Sequence, residues 1–339
     1  NSVWLDGSAD CLTKSLSSGA AQSRLIISTW VQRTAFSSTA EYAMVTSVGG
    51  AASSSANRLK FEDDGITVHL ESGASNTTTI YKTSALYRDI GWYHILLSID
   101  GNVSDSMNLY VNGIQQTTSI TTGSAFTGSL NSFAHSGSTT MIGKYNNTSS
   151  DLYFLPAYLA QTTMLVGQSI QNSDVAVTDI LDAFTFGTNG SQYAPKKDSD
   201  VAALASTAGG RSFCLDFANS SDLGNDISSN NNDFAKSSGM AAANQSTNTP
   251  SLVYPSLSNI IPSSESGQGM STLTNGNLSV AAQTNRFARS AMIVNSTFSK
   301  LYYEITFDTV DATYDYPRVG IALTSYTGDD FTTRATDLH

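Results

Sequence analysis

The sequence predicts an all-β protein, and three observations carry that reading: a charge-poor composition, short alternating apolar runs, and turn residues between them. Of 339 residues, 13% are Asp, Glu, Lys or Arg and 40% are apolar. That charged share is about half the usual one. Ser, Thr, Asn and Gly stand where charges would be. Thr and the aromatics suit strands, whereas Asn, Ser and Gly suit turns. No stretch rich in Ala, Leu, Glu and Lys holds the register of a long helix. The length supports a substantial core and suggests two domains.

The elements follow in order. Val3-Trp4-Leu5 opens the first strand, and Leu25 to Val31 makes a strong second. On that second strand Leu25, Ile27, Thr29 and Val31 share one face, and Ile26, Ser28 and Trp30 the other. Tyr42–Val48, Arg58–Phe61 and Ile66–Leu70 read as shorter strands, with Asp63-Asp64-Gly65 as a hairpin turn whose Gly supplies positive φ. Trp92 to Ile99 is apolar nearly throughout, as expected of a strand covered on both faces. Met107, Leu109 and Val111 alternate with Asn108 and Tyr110 before Asn112-Gly113, a strong short hairpin signal. Thr140–Gly143 and Leu152–Leu159 continue the series, a short helix capped by Thr178 spans Thr178–Phe184, and Phe213–Phe217 returns to strand. Many strands at irregular spacing suit a jelly-roll sandwich.

The composition then shifts. Residues 236–275 are rich in Ser and Asn, with Pro250, Pro255 and Pro262 among them, and read as a linker. Beyond it, Leu278–Val280, Ala291–Val294, Leu301–Phe307 and Val319–Leu323 read as strands of a second β domain, 276–339, that lacks a closing strand. The first domain is placed at 1–235.

Several function classes are disfavoured. A net charge of −11 without a Lys/Arg cluster argues against nucleic acid, whose phosphates attract basic patches. No run is long and apolar enough for membrane insertion. The strand pattern begins at once from Asn1, so the chain reads as a processed product or as part of something longer. Cys11 and Cys214 each sit in a strand-like run. Buried free thiols are the first reading, and a disulfide between neighbouring first and last strands is the alternative.

Four stretches resemble laminin-G and concanavalin A-like jelly rolls: Val3 to Leu12 with its Asp6-Gly7-Ser8, Ile27 to Arg33, Trp92 to Ile95, and Leu109 to Gly113. Tyr158-Leu159-Ala160, Tyr193 to Lys196, Phe213–Phe217 and Asp226–Phe234 resemble large virion proteins of tailed phages of the marine type. Cys214 stands where those have Tyr, and Asn230-Asn231-Asn232 where glycine is usual. Lys300 to Ile305 with Val319 to Ala322 is similar to the start of a SPRY-type sandwich. The resemblance implies an antiparallel concanavalin A/laminin-G-like β-sandwich followed by a second, partial β-sandwich.

Glycosidases of this fold carry two carboxylates a few ångströms apart, and their glucanase members place them at alternate positions of one strand. No E-x-D-x-E motif occurs, there is no G-x-S-x-G elbow, and His69, His94, His135 and His339 are scattered. The expectation is therefore that the protein is not an enzyme, with His94 a hydrogen-bonded core imidazole. No cofactor is required, although laminin-G-like domains often bind calcium at a rim. Its candidate ligands are Asp63 and Asp64 in one turn and Asp222, Asn225, Asp226 and Asp233 in a later loop. Asp and Asn are equally the ordinary turn residues. Tyr145 with Asn146 and Asn147 is the candidate carbohydrate site, as is Tyr314 with Tyr316, because sugar binding uses loop aromatics beside hydrogen-bonding amides.

The resemblance implies a virion structural protein, a tail fibre or appendage, with a lectin-like domain for host glycans or neighbouring subunits. It would sit on the virion surface after assembly in the host cytoplasm. Its partners would be other virion proteins and copies of itself, a trimer being favoured. Two other readings stand beside it. One is a capsid or tail decoration with a purely architectural role, and the other is a secreted adhesin or carbohydrate-binding module.

Overall fold

The computed structural model describes residues 1–16, 19–37, 39–50, 55–73, 76–146, 150–170, 180–186 and 194–251, and beyond those only 257–258, 269–270, 273–274, 279–280, 286–287, 289–290 and 306. The chain divides into two units, Asn1–Tyr254 and Pro255–His339.

Along the first unit run β1 (Ser2–Asp6), β2 (Leu12–Ser15), β3 (Arg24–Arg33), β4 (Glu41–Gly49), β5 (Ala56–Glu62), β6 (Gly65–Ser72) and β7 (Thr77–Thr83). Next come β8 (Trp92–Asp100), β9 (Met107–Val111), β10 (Ile114–Gln115), β11 (Thr118–Thr122), β12 (Ser138–Ile142), β13 (Tyr145–Asn146), β14 (Asp151–Leu152) and β15 (Pro156–Val166). The helix α1 (Ile180–Phe184), β16 (Thr185–Phe186), β17 (Ala194–Pro195), the helix α2 (Asp198–Thr207), β18 (Phe213–Leu215), β19 (Ala235–Lys236) and β20 (Gln245–Ser246) complete it.

Two antiparallel sheets form the sandwich. The first runs β10-β9-β8-β3-β15-β1-β20, with β18 pairing the far half of β15. The second runs β11-β7-β6-β5-β4-β12-β2-β19. Alternation along each strand sends one side chain in two toward the interior. Leu25, Ile27 and Val31 of β3 and Ile95, Leu97 and Ile99 of β8 thereby meet Leu59, Phe61 and Val68 of the second sheet in one core.

The strands predicted within the first unit are present, and β8 is covered on both sides as its apolar run requires: Leu96 packs outward with Ile26, Leu165 and the helices α1 and α2. The helix α2 was not foreseen. Its Asp198 and Asp200 lie in the first turn, where they complement the helix dipole, and Val201, Ala202 and Ala205 are buried. The Thr178 cap expected for α1 lies outside the described residues. Asn112 and Gly113 both have positive φ, 49° and 79°, as a two-residue type I′ hairpin demands.

The other predicted turn is built differently. Asp63 and Asp64 themselves take the left-handed conformation, with φ of 51° and 62°, while Gly65 pairs with Glu62 as the first residue of β6. Asp64 is fixed there by Arg33 and Arg88, each at 2.8 Å. The boundary of the sandwich also differs from the one expected. Ala235–Lys236, at the expected domain end, pairs with β2, and Gln245–Ser246, inside the stretch read as a linker, pairs with β1 as the last strand of the first sheet.

In the second unit the described residues form three two-residue pairs: β21 (Leu257–Ser258) with β26 (Arg289–Ser290), β22 (Gly269–Met270) with β25 (Arg286–Phe287), and β23 (Leu273–Thr274) with β24 (Ser279–Val280). The strands expected over 291–294, 301–307 and 319–323 lie outside the described residues, apart from Thr306, as do Tyr314 and Tyr316.

Candidate functional site on the outer face of the second sheet

The outward positions of β4, β5, β6 and β7 carry polar residues in register. Lys60, Thr67 and Lys82 stand opposite one another across three strands, and Thr46, Arg58 and His69 form the neighbouring row. They face outward because Leu59, Phe61, Ile66, Val68 and Leu70 take the inward positions between them. Glu41 and Glu62 are direct register partners on β4 and β5, and the Lys60 ammonium bridges both carboxylates. Lys82 pairs with Asp63 at 2.7 Å.

A tyrosine pair closes one end of this face. Tyr145 and Tyr153 stack with ring centroids 5.6 Å apart and planes 12° from parallel. The Arg58 guanidinium lies 4.5 Å above Tyr145, and the Lys60 ammonium 5.7 Å from Tyr153. Tyr153 has φ of 57°, a conformation in which a bulky side chain is strained. Its carbonyl accepts the Ala43 N–H at 2.8 Å, which anchors the strained residue to β4.

His69 sits between Arg58 and Glu71, with Nδ1 2.9 Å from the guanidinium and Nε2 3.0 Å from the carboxylate. Burial pushes its pKa below the ordinary value, the Glu71 hydrogen bond opposes that, and Arg58 adds to it. Two buried polar atoms on this face, Arg58 Nε and Thr67 Oγ1, have no hydrogen-bond partner. Such orphans are uncommon and mark places where water or a ligand completes the bonding.

The predicted site residues divide sharply. Tyr145 is present at this site, but as a buried strand residue under Tyr153 and not as an exposed loop aromatic. Asn146 donates to Asp151 at 2.8 Å, and Asn147 lies outside the described residues. Tyr153, Arg58, Lys60 and Glu41 were missed. They are brought together by strand register across residues far apart in the chain, which no local spacing reveals.

The carboxylates of Asp63, Asp64, Asp226 and Asp233, proposed for calcium, are engaged by the protein. Asp64 is buried between Arg33 and Arg88 and also accepts the Ser37 N–H. Burial raises its carboxyl pKa, but the arginines outweigh that and hold it below the usual range. Asp226 accepts the backbone N–H of Cys214, Ser228 and Asn232, and donates its own N–H to Asp233 at 2.9 Å. These bonds shape the loop leading to β19. The Asp222 carbonyl accepts the Asn225 N–H at 3.2 Å in the same loop. Among the described residues no group of three or more His, Cys, Asp or Glu could hold a metal ion.

The bridge considered for Cys11 and Cys214 is not formed; both are free and buried. Cys214 belongs to the first sheet and packs under the helices, whereas Cys11 leads into β2 of the second sheet. Strand β18 pairs with β15 in the first sheet, whereas Cys11 directly precedes β2 of the second, so the expected neighbouring of the two thiols does not occur. Burial pushes the Cys214 thiol up to about 12. His94 is the core imidazole expected, with Nε2 2.8 Å from Ser28 Oγ, and burial depresses it to about 3.

Two antiparallel sheets in this order, with β1 and β15 side by side in the first, form a concanavalin A/laminin-G-like β-sandwich. The family profile described as the concanavalin A-like lectin/glucanases superfamily matches residues 7–159. Solved structures similar to this chain include a heptameric SAP-like pentraxin from Limulus polyphemus, at 14% identity and a TM-score of 0.36, covering 48% of this chain and 74% of the pentraxin. Domains LG4-5 of the mouse laminin alpha1 chain match at 12% identity and 0.36, over 50% of this chain and 42% of theirs. The ligand binding domain of botulinum neurotoxin serotype D, in complex with N-acetylneuraminic acid, matches at 12% and 0.34, over 54% and 43%. No curated protein matches the chain.

Proposed function

We propose that the sandwich is a non-catalytic glycan-binding domain of a phage virion appendage such as a tail fibre, and that it takes up sugar on the outer face of its second sheet. The observation that carries this reading is Tyr153, held in a strained conformation above Tyr145 beside the Arg58 and Lys60 cations. An aromatic ring presents an apolar face to the C–H side of a pyranose, and neighbouring charged groups bond its hydroxyls. Orphaned Arg58 Nε and Thr67 Oγ1 add a donor and an acceptor. The paired glutamates do not favour glycosidase chemistry. Lys60 bridges both of them, so they serve one cation together and leave no arrangement in which one is acid and the other base.

The low-charge surface suits packing against other virion proteins and against copies of itself, and several copies would raise the avidity of weak single sites. The test is a glycan array and whole-cell binding with the purified protein, run with calcium and with chelator. Glycan binding that survives chelation and falls about tenfold or more in Tyr153→Ala is expected. A folded protein that binds no glycan and no host cell would give the domain an architectural role instead.

A further inference from the structure

We infer that the first sheet carries a second ligand site, sized for one neutral polyhydroxylated molecule such as a monosaccharide, at the break between β1 and β18. Along one side of β15 the partner changes: β1 pairs with residues 156–159 and β18 with residues 162–164. Between them the ladder is interrupted, and on the other side the register with β3 shifts between Ala160 and Thr163. Gln161 sits at that bulge with φ of 40°. A non-glycine residue in this region is strained and persists only because its surroundings hold it.

The Gln161 side chain is 3% exposed. Its Nε2 donates to the Lys196 carbonyl at 2.7 Å and to Asp198 Oδ1 at 2.8 Å. Its Oε1 is buried and has no hydrogen-bond partner. The reverse amide orientation would set an oxygen against two acceptors, so the orphan is the carbonyl oxygen. An acceptor left unpaired in this way costs about 1–3 kcal/mol, and a donor arriving from outside the protein recovers it.

Gln161 lines a cavity of about 270 Å³ whose other walls include Lys197, Asp198 and Pro250. That volume lies near the lower limit of roughly 300 Å³ for ligand pockets, so one sugar ring is the right scale. The N-terminus of α2 opens on it, and Lys197, the residue before the helix, makes no side-chain cap. Charged groups of both signs line the cavity, Asp198 beside Lys196 and Lys197, so donors and an acceptor stand close together as the hydroxyls of a sugar require. A hydroxyl meets the requirement because it donates to Gln161 Oε1 and accepts from Lys197 or a helix N–H at once.

This site stands apart from the Tyr153 face and does not depend on it. Ligand-observed NMR with D-glucose, D-galactose and N-acetyl-D-glucosamine should detect binding to the wild-type chain and to Tyr153→Ala equally. The affinity should fall about tenfold in Gln161→Met. Lys197→Ala, at an exposed position, should weaken it about threefold and keep the fold, and it decides the matter if Gln161→Met does not fold. No saturation transfer to any of the three sugars overturns the inference. Transfer that persists undiminished in both cavity variants, or that is lost in Tyr153→Ala alone, overturns it equally.

Discussion

The outer faces of the two sheets are made by the same alternation and end in opposite states. On the first sheet the outward residues of β3, β8 and β15 are Ile26, Trp30, Leu96, His94, Tyr158 and Leu165, all buried. The helices α1 and α2 supply the cover, with Phe184, Val201 and Ala202 packed with Ile26 and Leu96. On the second sheet the corresponding positions hold Arg58, Lys60, His69, Glu71 and Lys82, polar although Lys60, His69 and Glu71 are buried too, and a half-buried Tyr153 borders them. A sheet that is apolar on both faces must recruit a later segment to cover the second one, whereas a polar outer face can meet a ligand. The difference locates the candidate glycan site without reference to any motif.

The largest test of that contrast is Leu96→Ala. If the helices truly cover the first sheet, the loss in a denaturant titration should reach about 2–5 kcal/mol, as for an interior leucine. A loss near that of a surface residue would mean the outer core is not packed.

Acid should act next, through His94. Its folded pKa of about 3 lies below the ordinary 6.5. Below pH 6.5 the unfolded chain therefore binds a proton that the folded chain refuses, and stability falls as pH drops from about 6.5 toward 3. His69 is depressed too, in the same direction. Urea midpoints at several pH values should show the slope, and His94→Gln should flatten more of it than His69→Gln. Equal slopes in the two variants would contradict the difference in burial between the faces.

The smallest effect belongs to the polar face of the second sheet. Glu62 is 30% exposed in its pair with Lys60, so Glu62→Gln should cost under about 1 kcal/mol. A larger loss in the same titration would show that the polar row holds the sheet together and is not free to serve a ligand.

Much of the sandwich was legible because strands announce themselves locally. Leu25–Val31, Trp92–Ile99 and Asn112-Gly113 carry alternation, continuous apolar character and a type I′ pair that need no distant information. The helix α2 was harder to read, since ten residues with an Ala-rich, weakly patterned face resemble loop composition. The strand-forming role of Ala235–Lys236 and Gln245–Ser246 was illegible for a related reason. Two-residue strands have no period and are defined only by the edge they complete.

The sequence by itself determined the fold class, the main strands, the buried imidazole at His94 and the turn at Asn112-Gly113, because each rests on neighbouring residues and backbone preference. Only the tertiary structure decided which residues form a site. Tyr145 and Tyr153 stack over Arg58 and Lys60 because a backbone bond from Ala43 and a strained φ place them there. Gln161 meets Asp198 because β1 and β18 leave a gap along β15. Asp64 is a buried counter-ion because Arg33 and Arg88 reach it from two other segments. Register and long-range pairing bring these groups together, and a chain read residue by residue carries no measure of either.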